Sequence, residues 1–246
     1  MLSHQYLENS ESKYNDALGL AERHSYGVAS SLLIISLEET TKALVLHLDG
    51  MGFEFRSRVT GIKSLFENHE LRYFLAAILS VMQLFSEDIV MFIDRFRKGD
   101  RSFYGLLKND PLILDQLFKY VRRKSDEIKL EANWFSNADL YRQEGFYVDF
   151  RNELKSPLLC SKEECLQVKM RIERFRKFAN DFMESFSNND VEIVEHIRKL
   201  KIQFREGWYE ELSKLVLKTK DGNYDPFKEI SAMFSELDGD LNGNAD

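Results

Sequence analysis

Apolar residues recur along this chain at helical steps. Tyr14, Ala17, Leu18 and Ala21 fall at i, i+3, i+4 and i+7 and predict an amphipathic first helix over roughly 8–22. From Tyr26 to Leu48 the sequence is apolar on nearly every side, the pattern of a helix packed centrally in a bundle. His69 to Phe96 carries Leu71, Phe74, Leu75, Ile78, Val81, Met82, Phe85, Ile89 and Phe92 at three- and four-residue steps, which predicts a third long helix. Residues 98–111 hold two glycines and end in proline, so they read as a connection, after which helical periodicity resumes from Leu112 to about Leu130. Residues 133–158 lose the helical period and mix aromatics with Asn, Gly and Pro. They predict an ordered irregular segment with a short strand over Phe146–Phe150. Ser161 with Glu164 forms a capping-box start for a long helix to about Ser187. Val191 to about Lys218 forms another helix, and a short one spans Pro226–Leu237.

These elements predict an all-α fold: long antiparallel helices and one irregular ordered segment at about 133–158, in a single helical domain over 1–237 followed by a flexible acidic tail over 238–246. Prolines occur only at 111, 157 and 226, so the first 110 residues lack the strongest helix breaker. With 246 residues, 43% hydrophobic and 13% aromatic, the chain can bury a sizeable core. A membrane-spanning reading of Tyr26–Leu48 fails, because Glu38, Glu39 and Lys42 sit in its middle.

A net charge of -7 makes the average surface repel phosphate, which argues against a general nucleic-acid coat protein and leaves RNA contact to a local patch. The spacing of Cys160 and Cys165 fits neither a zinc site nor a Cys-x-x-Cys pair, so both read as reduced thiols in a cytoplasmic protein with no metal and no cofactor. The first residues lack a basic segment followed by an apolar run, so no signal peptide is expected. Asp238-Gly239-Asp240-Leu241-Asn242-Gly243 begins like an EF-hand loop, but no bidentate Glu follows at the required spacing.

Three constellations bear on chemistry. Glu38-Glu39-Thr40-Thr41-Lys42 places three charges in the most apolar helix, where they need partners; Lys42 is i+4 from Glu38 and i+3 from Glu39. His69 and Arg72 share a face at the start of the third helix, and an imidazole beside a guanidinium can exchange protons and stabilise a phosphate's developing charge. Arg142, Tyr147 and Asp149 crowd a non-helical segment suited to closing over a site.

The Gly27–Leu46 stretch with Leu37-Glu38-Glu39-x-x-Lys42-Ala43, the later His69-x-x-Arg72 where the family tends to have His-x-x-Lys, and Gly145-Phe146-Tyr147-Val148-Asp149 with Ser156-Pro157 resemble the AbiV family of bacterial abortive-infection proteins, of HEPN type. The resemblance covers about residues 10–157. It implies a HEPN-like helical bundle, a role in phage defence, RNA as a target or ligand, a homodimer, and a phage-encoded activator protein as partner. Many relatives in the wider superfamily are metal-independent ribonucleases with an Arg-x(4–6)-His motif. This chain departs from that: none of His4, His24, His47, His69 and His196 has Arg five, six or seven residues before it.

Two readings stay open. In the first, an effector arrests host growth or translation by cleaving RNA, with His69 as acid or base, Arg72 and Lys42 stabilising charge, Glu38 or Glu39 orienting them, and Arg142, Tyr147 and Asp149 closing the site. In the second, a non-catalytic effector or sensor binds a phage protein or a translation component, and the same polar residues form a structural network.

Overall fold

A computed structural model describes residues 2–97, 124, 126–150, 154–187, 208–219 and 227. The connection expected over 98–111, most of the helix expected from Leu112 to Leu130, the first part of Val191–Lys218 and nearly all of Pro226–Leu237 lie outside these residues. The fold is all-α. Its long helices are α1 (Leu2–Glu22), α2 (Tyr26–Leu48), α3 (His69–Arg97), α4 (Ala138–Glu144), α5 (Lys162–Ser187) and α6 (Trp208–Thr219), with 126–136 also helical. Among the described residues no helix is long and apolar enough to cross a membrane.

The chain groups into two compact units, one of residues 1–76 with 136–224 and the other of 77–135 with 225–246. The first unit is built on a helical hairpin. Short turn hydrogen bonds at 23–25 reverse the chain between α1 and α2. Contacts then descend in antiparallel order, Tyr6 with Lys42, Asn9 with Glu39, and Ser10 with Ser36. Helix α2 is buried on nearly every side, with Leu33, Ile34, Leu37 and Leu44 at 1% exposure or less. Each such side chain contributes roughly 1.5–3 kcal/mol over leaving it in water, which is why this uniformly apolar stretch takes the centre. In the second unit Ile128, Ala132, Trp134 and Phe135 are buried, the last two as an edge-on aromatic pair.

Helix α2 ends in a π-helical turn, Asp49–Phe53, where Gly52 takes φ 84, a value glycine adopts without strain. A 3-10 turn at Ile62–Phe66 leads into α3, whose first turn is capped by Asn68: its Oδ1 accepts from the Leu71 amide at 3.1 Å. Helix α5 begins with the capping box the sequence predicts. Ser161 Oγ accepts from the Glu164 amide at 3.1 Å, and a Glu164 oxygen accepts from the Ser161 amide at 2.7 Å. Arg176 then ties α5 to α1 through an ion pair with Glu11 and a stack on the Tyr14 ring.

The segment over 133–158 is ordered but more helical than its sequence suggests. Helix runs to Ser136, turns at Asn137, and resumes as α4, where Ala138 is fully buried and Asp139 accepts from Arg142 and Gln143 one turn on. The short strand expected at Phe146–Phe150 is confined to Asp149–Phe150 (β1), paired antiparallel with Leu154–Lys155 (β2).

Candidate functional site

One carboxylate organises the polar residues of the first unit. Glu38, 2% exposed, projects from the middle of α2 toward the start of α3 and toward α4. His69 Nδ1 lies 3.0 Å from its Oε1 and 2.9 Å from its Oε2. Arg72 donates from Nη1 to Oε2, and the Tyr73 phenol donates to Oε1. Arg142 brings Nε to 3.7 Å from Oε1. A carboxylate has about four acceptor positions, and this one accepts from three side chains and has Arg142 beside it as a longer ion pair. Arg72 Nη1 also approaches His69 Nδ1 at 3.1 Å. That ring nitrogen has a single role, and the carboxylate makes it a donor, so the approach is a contact around a shared acceptor.

The electrostatics follow. Burial pushes the Glu38 carboxyl upward, but hydrogen bonds from His69 and Tyr73 and the charge on Arg72 outweigh it and hold the group below the usual carboxylate range. Burial and the Glu38 charge push the Tyr73 phenol far up, so it remains a donor. Two guanidiniums, Arg72 and Arg142, balance the carboxylates of Glu38 and Asp139. Asp139 accepts from Arg142 Nε at 3.1 Å and Nη2 at 2.7 Å.

Arg72 is committed in every direction: Nε to the Leu65 carbonyl at 2.8 Å, Nη2 to the Phe66 carbonyl at 3.2 Å, and Nη1 to Glu38. It fastens the 3-10 turn before α3 and is itself 5% exposed. By contrast, the His69 side chain is 41% exposed, and its Nε2 has no partner among the described residues.

The charges of α2 are sorted onto two faces. Residues 38 and 39 diverge by about 100° around a helix, and Glu39 points to α1 while Glu38 points to α3. Lys42 pairs with Glu39 at 2.5 Å, and Asn9 Nδ2 donates to the other Glu39 oxygen at 3.0 Å. The Lys42 ammonium lies 5.4 Å from the Tyr6 ring centroid. Of the sequence candidates, the structure therefore brings Glu38, His69, Arg72 and Arg142 together and sets Glu39 and Lys42 apart as a second buried pair. Tyr147 is exposed, and its recorded ring contact is with Phe146. Asp149 occupies β1 opposite Lys155, and its side chain lies outside the described atoms.

Arg142 reaches Glu38 because α4 is seated directly on α2. A Cβ at Gly145 would collide with Ser31 Oγ and the Gly27 carbonyl, and one at Gly27 would collide with the Pro157 backbone. Ser31 Oγ donates to the Arg142 carbonyl at 2.7 Å. Two residues escaped the sequence reading: Tyr73, one helical turn after His69, and Asp139, one turn before Arg142. Their i+4 and i+3 spacings were the available signal.

Among the described residues no group of three or more His, Cys, Asp and Glu side chains is arranged to hold a metal ion. No curated protein and no solved structure shows a significant match to the chain. The HEPN_AbiV family model, described as AbiV, matches residues 2–174, a span that takes in the Glu38 cluster, the Glu39–Lys42 pair and the α4 clasp. The chain belongs to the AbiV family of HEPN proteins, a family of abortive infection in phage defence.

Proposed function

We propose that this chain is an abortive-infection effector that arrests host growth or translation by cleaving RNA, with His69 as the acid–base group. The observation that carries this reading is the half-exposed imidazole whose Nδ1 is held by a buried carboxylate and whose Nε2 has no partner among the described residues. Fixing one ring nitrogen as donor leaves the other as the acceptor, the arrangement general-base catalysis needs. Nε2 takes the ribose 2′-hydroxyl proton, the 2′-oxygen attacks phosphorus, and the bond to the 5′-oxygen breaks as that oxygen is protonated by the imidazolium. Arg142 Nη1, without a partner among the described residues, meets a non-bridging phosphate oxygen. Exposed Tyr147 offers a face for base stacking, and Asp149 sits beside it on the hairpin. Arg72, Lys42 and Glu39 support the helix rather than the phosphate. The effector works in the cytoplasm as a homodimer, which light scattering at micromolar concentration checks.

The test is incubation of purified protein with total RNA in EDTA. Discrete fragments from the wild-type chain and none from His69→Ala support the reading; identical RNA profiles from both overturn it. A second reading, a non-catalytic effector that binds a phage-encoded protein or a translation component, draws on the burial of Arg72 and Lys42 against carboxylates of this chain and on the missing Arg-x(4–6)-His spacing. Phage protection by a His69→Ala chain would favour it.

A further inference from the structure

Glu38 shares its two oxygens among His69, Arg72 and Tyr73, with Arg142 beside them. Left to itself, a buried carboxylate beside a guanidinium turns to present both oxygens to it in a two-pronged pair. Here that turn would take Oε1 away from His69. Instead Arg72 meets only Oε2, Arg142 stays at 3.7 Å from Oε1, and the Tyr73 phenol occupies Oε1. The Tyr73 ring is 2% exposed and lies nearly parallel to the imidazole, at 26° with centroids 6.5 Å apart. Phenylalanine would fill the same space. Among the described residues the hydroxyl bonds to Glu38 alone.

We infer that Tyr73 is a positioning residue for the His69 site: by donating to Glu38 Oε1 it holds the carboxylate across the imidazole, fixes the proton on His69 Nδ1 and leaves Nε2 as the acceptor facing outward. The geometric part of this inference concerns the Glu38–His69 pair alone; its catalytic meaning rests on the reading of His69 as the acid–base group. The high proton affinity of the phenol, set by burial and by the Glu38 charge, keeps it a donor throughout the working pH range.

The experiment uses the full chain and Tyr73→Phe, with three readouts. Nitrogen-15 spectra of the His69 ring report its tautomer, carbon-13 titration reports the Glu38 carboxyl, and cleavage of total RNA in EDTA reports activity. The wild-type ring is expected in the Nδ1–H form. In Tyr73→Phe that form gives way to a mixture, the Glu38 midpoint moves up toward the ordinary carboxylate range, and cleavage falls about tenfold in kcat with KM within about twofold. Unchanged ring signals and an unchanged Glu38 midpoint in a folded Tyr73→Phe chain would overturn the inference. So would a wild-type ring carrying its proton on Nε2, a result that needs no variant at all. A wild-type chain that cleaves no RNA sinks the catalytic reading alone, because the ring spectra still decide what Tyr73 does.

Discussion

Glu38 and His69, 31 residues apart in the chain, are joined through both carboxylate oxygens, so the middle of α2 and the first residue of α3 share one proton-bearing contact. The imidazole adds little to the core because much of it faces outward.

His69→Ala is therefore expected to fold. Arg72 and Tyr73 still donate to Glu38 and Arg142 still pairs with it, and the thermal midpoint should stay within about 4 °C of wild type, the equivalent of roughly 1 kcal/mol in a chain of this size. Phage protection should be lost. A plaque assay beside a thermal melt checks both; full protection by a folded variant would falsify the role given to His69.

Glu38→Gln has the opposite profile. It leaves Arg72 charged and buried against neutral acceptors, the Leu65 and Phe66 carbonyls and the new amide oxygen, and a broken buried pair costs about 3–5 kcal/mol. Urea denaturation should show the midpoint falling by that measure, and an unaltered midpoint would mean that water reaches Arg72.

The Glu39–Lys42 pair is separable from the Glu38 cluster. Lys42→Met strands Glu39 with Asn9 as its one donor among the described residues and should cost on the order of 3 kcal/mol, whereas Glu39→Gln with Lys42→Met together should recover most of that loss. Additive losses in this double-mutant cycle would show that the two side chains do not couple.

How much of this was legible beforehand varies with the kind of evidence a residue leaves in sequence. The bounds of α2 and the start of α3 follow from apolar periodicity and from Asn68, and the Ser161–Glu164 cap follows from spacing. Glu38 stood out because charge in an apolar helix needs an explanation. Its partners did not, because Lys42 is compatible with either glutamate and only the rotation of α2 against α1 selects Glu39. Tyr73 was hidden among apolar neighbours where a phenol and a phenyl ring look alike. Helix α4 was hidden by Asn137 before it and Gly145 after it, which leave only seven residues, too few for a period to show.

Gly145→Ala should loosen the clasp between α4 and α2. The added methyl meets the Gly27 carbonyl and the Ser31 hydroxyl, and backbone has to move. Overpacking of this kind costs about 1–3 kcal/mol. Arg142 would be drawn away from Glu38, so amide-exchange protection should fall across 138–145 while Leu33 to Leu44 keeps its own.

Stability should fall with acid in two separable stages. His47 has a buried Nε2 without a partner among the described residues, and burial lowers its affinity for a proton below the ordinary value of 6.5. The unfolded chain then binds that proton first, so stability is lost as pH drops from about 6.5 toward the folded value. His47→Gln should flatten this stage. Glu38 adds a second stage: its folded carboxyl holds protons less readily than the ordinary 4.5, so its contribution is present above about 4.5 and is lost as pH falls below it. Denaturation midpoints from pH 8 to pH 3 check the order.

Where α1 crosses α2, Ser10 sits at 1% exposure with its hydroxyl 2.8 Å from the Ser36 carbonyl and 2.7 Å from Thr40 Oγ1. One helical turn away on either side, the residues that would replace it are Tyr6 and Tyr14. A slip of α1 by a single pitch, about 5.4 Å, would drive a phenol ring into a gap that holds a serine. The hairpin is keyed like a shaft in its slot: the buried serine lets the two helices approach here in one register and penalises the next.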